Sequence, residues 1–263
     1  MELQTHIASI STPIPNSFPA RHRTPAAESK PTLKKDDRWS DFDEVLNLLR
    51  YDGELSDDEN SSLYWRRRVK TGQSVLRMGQ AYEGLYVVRF GALKTVMTQV
   101  DGSENMLAFP MKGNLVGFDG ICKAKYLTDV IALTDCDLIK LPETALFSPG
   151  QQGGSDLERV AYWAISRDMA NEQAGAAASR SVKSEVRVAR FLRIQSDRFA
   201  AMGYSPRRFT LPMTRRDIGS HLNVTLESVS RAFSAMDDLG IIAIDRRDIE
   251  IFESVVTNNT ADQ

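Results

Sequence analysis

Hydrophobic residues near the C-terminus recur at the spacing of two short helices. The pairs that stand four residues apart are Ile218 with Leu222 and Val229 with Phe233. Because residues at i and i+4 share one face of a helix, each pair is expected to face a core. The pattern predicts helices over 214–222 and 225–239 that are joined by a tight turn, with Thr225 as the N-cap of the second helix.

The segments on either side of these helices complete a winged helix-turn-helix. An amphipathic helix is expected over 186–202, followed by a loop over 203–212. After Gly240, apolar and polar residues alternate in I-I-A-I-D-R-R-D-I-E-I-F, which predicts a hairpin that turns at 245–247. We therefore assign 184–253 to a winged helix-turn-helix domain.

Towards the middle of the chain the pattern changes to short β-rich runs that are separated by glycine. The expected strands lie at 67–70, 74–77, 84–89, 92–98, 105–110, 126–133 and 137–142. Asp101 and Gly102, between two such runs, are typical of a hairpin turn. Many short strands at this spacing predict a jelly roll or sandwich over 39–150, so the whole chain is expected to be an α+β protein.

The stretch 155–202 contains no proline, and Gly175 is its one glycine. Its helical pattern is longer than an ordinary globular helix, which predicts either a coiled coil or two helices with a break. Since helix-turn-helix proteins commonly bind two half-sites as dimers, we expect the segment 151–183, and within it the helix 155–183, to form a homodimer. The small residues at 175–178 would let a second helix approach closely, and a helix packed within one chain is the alternative.

The N-terminal region is expected to be less ordered than the rest. Residues 1–38 combine several prolines with Ser, Thr and Lys, which predicts a disordered tail, and 254–263 is assigned to a second tail. Residues 39–50 predict a short amphipathic helix that is capped by Ser40, and a second short helix is expected near Ser56.

Length, composition and charge are those of an ordinary globular protein. Of the 263 residues 42% are hydrophobic and 26% are charged, and the net charge is −2. No apolar run approaches the roughly 18 residues of a transmembrane helix and no secretory signal is apparent, so a cytoplasmic protein is expected. The charge is nevertheless clustered between Pro206 and Arg231, where arginines outnumber acids; these arginines are Arg207, Arg208, Arg215, Arg216 and Arg231.

The sequence carries few residues suited to catalysis or to metal binding. It contains no nucleophile–base arrangement, P-loop or metal-ligand spacing, so we expect no enzyme activity. The two cysteines, Cys122 and Cys136, cannot form a disulfide framework or a four-thiolate metal site. They are expected to be small buried apolar residues, and redox sensing is the alternative.

The second predicted helix carries Glu227, Ser230 and Arg231 on the face opposite its core residues. Arg231 could donate two hydrogen bonds to guanine O6 and N7, and Glu227 could accept one from cytosine N4 or orient Arg231. Ser230 could bind a base edge or a phosphate. These residues are therefore the expected base readers of a DNA-binding surface, and an ordinary solvated Glu–Arg pair is the alternative.

Phosphate contacts are expected at the starts of the two helices, where backbone N–H groups and the positive end of the helix dipole meet an anion. The residues that we assign to this role are Thr214, Arg215, Arg216, Thr225 and Ser228. Such contacts set the register and the salt dependence of DNA binding rather than its sequence.

The chain resembles the CRP/FNR superfamily of bacterial transcription regulators, and its FNR branch in particular, over about 40–253. The resemblance rests on G-Q-S-V-L-R-M-G-Q at 72–80, L-Y-V-V-R-F-G-A-L-K at 85–94, G-N-L-V-G-F-D at 113–119, F-T-L-P-M-T-R-R-D-I-G-S-H-L at 209–222 and V-T-L-E-S-V-S-R at 224–231. It implies a cyclic-nucleotide-binding-type β-roll, a long dimerisation helix and a winged helix-turn-helix.

The resemblance also implies a DNA target and a protein partner. In FNR-type members the E-x-x-S-R residues read a palindrome with TTGAT-like half-sites, and this role falls here on Glu227, Ser230 and Arg231. Exposed β-roll loops of relatives contact RNA polymerase, and the hairpin at 101–105, with Asp101 and Gly102 at its turn, is the corresponding candidate.

The signatures of known effectors are missing, so no cofactor is expected. FNR holds an iron–sulfur cluster with N-terminal cysteines, but no cysteine precedes Cys122 here, and Cys136 lies near rather than at the position of the β-roll ligand. The region that matches the cyclic-AMP site, 117–129, has no arginine, and Lys123 and Lys125 are expected to be solvated. Haem, nitric oxide or a nucleotide, or a redox signal through Cys122 and Cys136, remain alternatives, and His221 is expected at the surface or facing DNA.

Overall fold

The computed structural model describes residues 38–55, 62–99, 101–147, 155–179 and 183–252. Three predictions fall outside these ranges: almost all of the disordered tail over 1–38, the short helix near Ser56 and the tail over 254–263. Among the described residues, no helix is long and apolar enough to cross a membrane.

Nine short strands form the N-terminal β-roll in the described part of the chain. They are β1 (Trp39–Asp41), β2 (Leu63–Val69), β3 (Ser74–Leu76), β4 (Gly84–Phe90), β5 (Leu93–Thr98), β6 (Glu104–Ala108), β7 (Leu115–Val116), β8 (Asp129–Ala132) and β9 (Cys136–Pro142). One antiparallel sheet has the order β1-β2-β9-β4-β7, and the other has the order β3-β8-β5-β6. Apolar side chains of both sheets share one core, which confirms the predicted jelly-roll class.

The first helix, α1 (Phe42–Leu49), begins later than the sequence pattern predicts. Its buried residues are the expected ones, but its N-cap is Asp41, whose carboxylate accepts a hydrogen bond from the Glu44 N–H group at 2.9 Å. The prediction that Ser40 caps this helix was wrong, because Ser40 lies in β1 and pairs with Tyr64 of β2.

Two helices with a break follow the roll, and a short helix, α2 (Glu143–Leu146), precedes them. The long helix α3 (Asp156–Ser179) contains the small-residue stretch 175–178, and α4 (Ser184–Ala201) leads into the C-terminal region. The beginning of α3 packs on the core of its own roll through Leu157, Val160, Ala161 and Ala164. The first turns of α3 therefore pack within their own chain, which was the alternative to a dimer contact.

The C-terminal region is a winged helix-turn-helix. Its elements after α4 are β10 (Arg208–Thr210), α5 (Arg215–Leu222), α6 (Leu226–Asp238), β11 (Ile242–Asp245) and β12 (Asp248–Ile251). The strands form a sheet in the order β10-β12-β11, so the predicted hairpin turns where expected. Strand β10 lies in a stretch predicted to be loop, because its partner β12 is about 40 residues further along the chain.

The core of this C-terminal region extends into the roll. Val96 of β5, Met106 of β6 and Phe109 belong to the same buried cluster as Phe191 and Phe233. Helix α5 packs directly on β6, so the roll and the helix-turn-helix form one continuous packed structure in this conformation.

Candidate nucleic-acid interface

The first helix of the pair is fixed at its start by a capping box. The Thr214 hydroxyl accepts a hydrogen bond from the Asp217 N–H group at 3.1 Å, and the Asp217 carboxylate accepts one from the Thr214 N–H group at 2.9 Å. Two N–H groups that would otherwise lack helical partners are satisfied in this way. Thr214, which is predicted to bind phosphate, therefore lies exposed at this helix start.

The turn between the helices depends on two residues. Asn223 ends α5 in the left-handed conformation, with φ of 53°. Gly219 lies under the incoming chain, where a Cβ atom would stand 2.8 Å from the Val224 carbonyl oxygen. Any larger residue at 219 would push the second helix away, so this glycine fixes the angle at which α6 is presented.

Helix α6 separates a buried face from an exposed face. Its buried residues are Val229, Ala232, Phe233 and Met236. The Thr225 hydroxyl accepts a hydrogen bond from the Ser228 N–H group at 3.1 Å, which confirms Thr225 as the N-cap. The backbone N–H groups of the first turn of α6 therefore lie at the exposed start of the helix.

The three expected base readers lie on the outer face of α6. The side chains of Glu227 and Arg231 are 77% and 67% exposed, and Ser230 is half-buried between them. Arg231 Nη1 stands 3.7 Å from Glu227 Oε1, which is a loose pair that contributes little to stability. The guanidinium group is therefore free to leave Glu227 for another acceptor.

One exposed residue on this face was missed by sequence reasoning. Leu226 is 46% exposed at the first position of α6, one turn before Ser230. A leucine in that place has no core to join, and an apolar side chain can contact the methyl group of thymine in a major groove. Helical spacing gives no signal of this exposure, because Leu226 stands three residues before Val229 and seven before Phe233 and so falls on their stripe.

The arginines that cluster in the sequence have different surroundings in the structure. Arg216 is exposed and has no partner among the described residues. The guanidinium group of Arg215 lies over the Phe233 ring at 5.2 Å, which orients it beside the start of α5. Arg208 instead forms an ion pair with Glu250 at 2.9 Å, and this pair links β10 to β12 of the wing.

Contacts with strands β5 and β6 hold the helix-turn-helix against the roll. The Ser220 hydroxyl accepts a hydrogen bond from the Met106 N–H group at 3.1 Å and donates one to the Glu104 carbonyl at 3.4 Å. The ammonium group of Lys94 lies 3.3 Å from the Asp217 carboxylate. Burial acts to raise the pKa of Asp217, but hydrogen bonds from Thr214 and the charge of Lys94 bring it below its ordinary value.

The expectation that His221 lies at the surface or faces DNA was wrong. Its ring packs between Phe109 and Phe191, with centroid distances of 5.2 and 6.0 Å. Burial lowers the pKa of the imidazole, and the carbonyl groups of Met106 and Leu107 oppose that shift only in part. His221 is therefore a half-buried residue, packed between aromatic rings at the junction of roll and helix-turn-helix.

The two cysteines differ, so the expectation that both are buried was wrong for one of them. Cys136 is buried, and its thiol donates to the Thr134 carbonyl at 3.1 Å and also contacts the Ala92 carbonyl. Burial raises the pKa of this thiol. Cys122 is exposed, because it lies in the loop after the short helical turn Phe118–Gly120.

Aromatic side chains, among them Tyr126 of the segment 117–129 itself, fill the interior of the roll there. Tyr126 is fully buried, its hydroxyl donates to the Gly84 carbonyl at 2.8 Å, and its ring packs against Tyr82. Burial raises the pKa of Tyr126 to about 12. Lys123 and Lys125 are exposed, as the sequence predicts. Among the described residues, no group of three His, Cys, Asp or Glu side chains is placed to hold a metal ion.

The turn between β5 and β6 lies where Asp101 and Gly102 predict it. Gly102 has φ of 80°, a conformation that glycine adopts without strain. The Asp101 carboxylate accepts hydrogen bonds from the N–H group and the hydroxyl of Ser103 at 2.9 and 2.6 Å. The result is a structured, exposed hairpin tip.

Two families of domains match this chain. Residues 66–148 match the cyclic nucleotide-binding domain, and residues 186–253 match the Crp-like helix-turn-helix domain. These two matches cover the roll from within β2 onward and the winged helix-turn-helix described above.

Known regulators resemble the chain in sequence. The transcriptional regulatory protein btr of Bordetella pertussis is 34% identical over 190 residues, which cover 72% of this chain and 77% of that protein. The fumarate and nitrate reduction regulatory protein of Salmonella typhi is 30% identical over 190 residues, which cover 72% and 75%.

Solved structures share the fold. The structure of FixK2 from Bradyrhizobium japonicum has a TM-score of 0.62 at 24% identity, covering 72% of this chain and 92% of that one. A CRP-family transcriptional regulator from Thermus thermophilus has a TM-score of 0.56 at 18% identity, covering 70% and 91%.

Proposed function

Because this chain belongs to the CRP/FNR superfamily of DNA-binding transcription regulators, we propose that it binds a palindromic operator as a homodimer and regulates transcription there. One observation carries the proposal. Glu227, Ser230 and Arg231 share the exposed face of the second helix of a helix-turn-helix. That face is the one a helix of this type inserts into a major groove.

The chemistry of these side chains favours a half-site that resembles TTGAT. Such a half-site contains a single G·C pair. Arg231 donates to O6 and N7 of its guanine, and Glu227 accepts from N4 of the cytosine across the pair. Ser230 then contacts a neighbouring base or phosphate, and Leu226 lies close enough to the helix start to meet a thymine methyl group.

Contacts to the DNA backbone come from the helix starts in this proposal. Thr214 and Arg216 flank the first turn of α5, and Thr225 and Ser228 flank the first turn of α6. Arg215, held over Phe233, is preorganised beside them. These groups position the protein on phosphates and leave sequence recognition to the outer face of α6.

Exposed apolar residues on α3 support the homodimer. Tyr162 and Met169 are 51% and 46% exposed and stand seven residues apart, so they share one stripe of the helix. The opposite side of the same helix is buried against its own roll through Leu157 and Val160. We propose that the Tyr162 stripe packs against the same stripe of a second copy.

The hairpin tip at Asp101 and Gly102 is our candidate contact for RNA polymerase. Two observations support this candidate: the hairpin tip is exposed, and hydrogen bonds hold its turn. A regulator of Pseudomonas aeruginosa that is 30% identical to this chain is named a transcriptional activator protein. By analogy we propose activation through a direct contact with polymerase.

We propose that the protein needs no iron–sulfur cluster and has no enzymatic activity. The chain contains two cysteines, one exposed and one buried, where a cluster of that type takes four thiolates. The residues of 117–129 do not fit a cyclic nucleotide either, because the segment has no arginine and Tyr126 fills the adjacent interior. We also propose that the protein lies in the cytoplasm, together with the DNA that it regulates.

Binding-site selection from random duplexes tests the proposed operator. The purified full-length protein is expected to enrich two TTGAT-like half-sites related by a two-fold axis, because a symmetric dimer presents two copies of α6. Selected sequences that lack the TTGA core would contradict the assignment of Glu227, Ser230 and Arg231. The Arg231→Ala variant is the matched control and is expected to enrich no common sequence.

A further inference from the structure

A cavity of about 600 Å³ lies on the roll, and none of its lining residues comes from α5 or α6. It is bounded by α1, by the ends of β2 and β4 and by the start of β9, and Tyr204 reaches it from the segment just after α4. Its volume lies within the roughly 300–1,000 Å³ that is typical of small-molecule sites. None of its lining residues comes from the segment 117–129.

A network of half-buried charges forms one wall of this cavity. Asp137 accepts hydrogen bonds from Arg66 and from Nη1 of Arg89, the latter at 3.2 Å. Nε of Arg89 also donates to Glu44 at 2.7 Å. Two guanidinium groups thus face two carboxylates, so the wall is rigid and electrically balanced.

The remaining charges leave the cavity positive. Lys70 is paired with Asp135 at 2.7 Å. Arg68 and Lys112 also line the cavity, and neither makes a hydrogen bond or ion pair with any residue that the structure describes. An entering ligand therefore meets two uncompensated positive charges beside a preorganised wall.

Aromatic surface completes the cavity. Phe90 and Tyr204 are 55% and 52% exposed and both belong to its lining. We propose that the cavity binds a small organic anion with a doubly charged head group, held by Arg68 and Lys112, and a planar body that packs on Phe90 and Tyr204. A phosphate monoester and a dicarboxylate share this head-group chemistry.

The test is calorimetric titration of the full-length protein with uridine monophosphate, phthalate and inorganic phosphate in parallel. At least one of the two organic anions is expected to bind saturably, with one site per chain. Inorganic phosphate is expected to bind about tenfold more weakly, since it has no planar body. A clear preference for uridine monophosphate or for phthalate identifies the head group as phosphate or carboxylate.

Two pairs of substitutions locate the site. The R68Q/K112Q variant is expected to weaken binding by about tenfold or more, because it removes two charge-assisted hydrogen bonds. The matched control K123Q/K125Q removes two exposed lysines from the segment that resembles the cyclic-AMP site, and it is expected to bind like the unchanged protein. All four positions are exposed, so both variants should fold, which circular dichroism checks.

Three results would overturn the proposal. The first is no binding of any of the three anions. The second is a loss of binding in K123Q/K125Q while R68Q/K112Q binds normally. The third is equal affinity for inorganic phosphate and the organic anions, which would remove the assigned role of Phe90 and Tyr204.

Discussion

Lys94 of the roll and Asp217 of the helix-turn-helix form an ion pair, with Nζ and Oδ1 3.3 Å apart. The same carboxylate closes the capping box with Thr214 at the start of α5. One side chain therefore holds the first turn of the DNA-binding unit and also ties that unit to the roll. The orientation of the recognition helix relative to the roll depends on this junction.

Removing the charge of Lys94 should loosen this junction without breaking the cap. Lys94→Gln is expected to lower the free energy of unfolding by about 1 kcal/mol, because the pair is only partly exposed to solvent. Urea unfolding measures the change. In the background of Asp217→Asn the Lys94 substitution should cost almost nothing. Equal costs in both backgrounds would show that the ion pair does not contribute.

Acid should destabilise the protein through His221. Its pKa is lowered in the folded state by burial, so the unfolded chain binds a proton that the folded chain does not. The stability that this neutral ring supports is complete above about pH 6.5 and falls as the pH drops below that value, by at most about 1.4 kcal/mol per pH unit. The buried cation that faces the ring is Arg198, which disfavours protonation further.

The His221→Asn variant tests this expectation through unfolding curves between pH 7.5 and about pH 5. The variant should be less stable at neutral pH, because it loses the packing against Phe109 and Phe191. It should nevertheless lose less further stability on acidification than the unchanged protein. Parallel pH profiles would place the acid sensitivity elsewhere.

Charges on the outer stripe of α3 should break the homodimer. The double variant Tyr162→Glu and Met169→Glu places like charges where two apolar stripes are proposed to meet, and light scattering is expected to show a monomer. Met78→Glu is the matched control, since Met78 is also an exposed apolar residue but lies in the roll. A double variant that stays dimeric would move the interface away from this stripe.

Arg216 should strengthen DNA binding without selecting a sequence. Its exposed guanidinium group at the start of α5 is proposed to meet a phosphate. Arg216→Ala is expected to weaken binding to operator and to random duplex alike, and to reduce the salt slope by about 0.9 for each phosphate that is no longer neutralised. Fluorescence anisotropy at several salt concentrations gives both quantities. Weaker binding to the operator alone, with unchanged binding to the random duplex, would make Arg216 a base reader. The Lys123→Ala variant is the control, and its DNA binding is expected to be unchanged.

Local patterns were enough to predict much of this fold. The helices α5 and α6, the cap at Thr225 and the hairpin after Gly240 each depend on residues a few positions apart, so their spacing is visible in the sequence. The capping by Asp41 in place of Ser40 could not be predicted in the same way. It follows from the pairing of β1 with β2, and β2 begins more than 20 residues after β1 in the chain.

Long-range packing accounts for what the sequence did not reveal at the candidate site. His221 is half-buried because Phe109 and Phe191, which are distant in the sequence, meet around it. The charged cavity likewise draws Glu44, Arg68, Lys112 and Tyr204 from separate elements. By contrast, helical spacing placed Glu227, Ser230 and Arg231 correctly on one face of α6, although it did not reveal the exposure of Leu226.

The most direct test of the central claim is a thermodynamic cycle between Arg231 and one base atom. Anisotropy titrations compare a TTGAT palindrome with the same duplex in which the guanine of one half-site is replaced by its 7-deaza analogue, which lacks N7. In the unchanged protein and in the Arg216→Ala control, the replacement is expected to cost about 1–3 kcal/mol. In Arg231→Ala it is expected to cost almost nothing, because the donor is already absent. An equal cost with and without Arg231 would contradict the assignment of this residue as the reader of guanine.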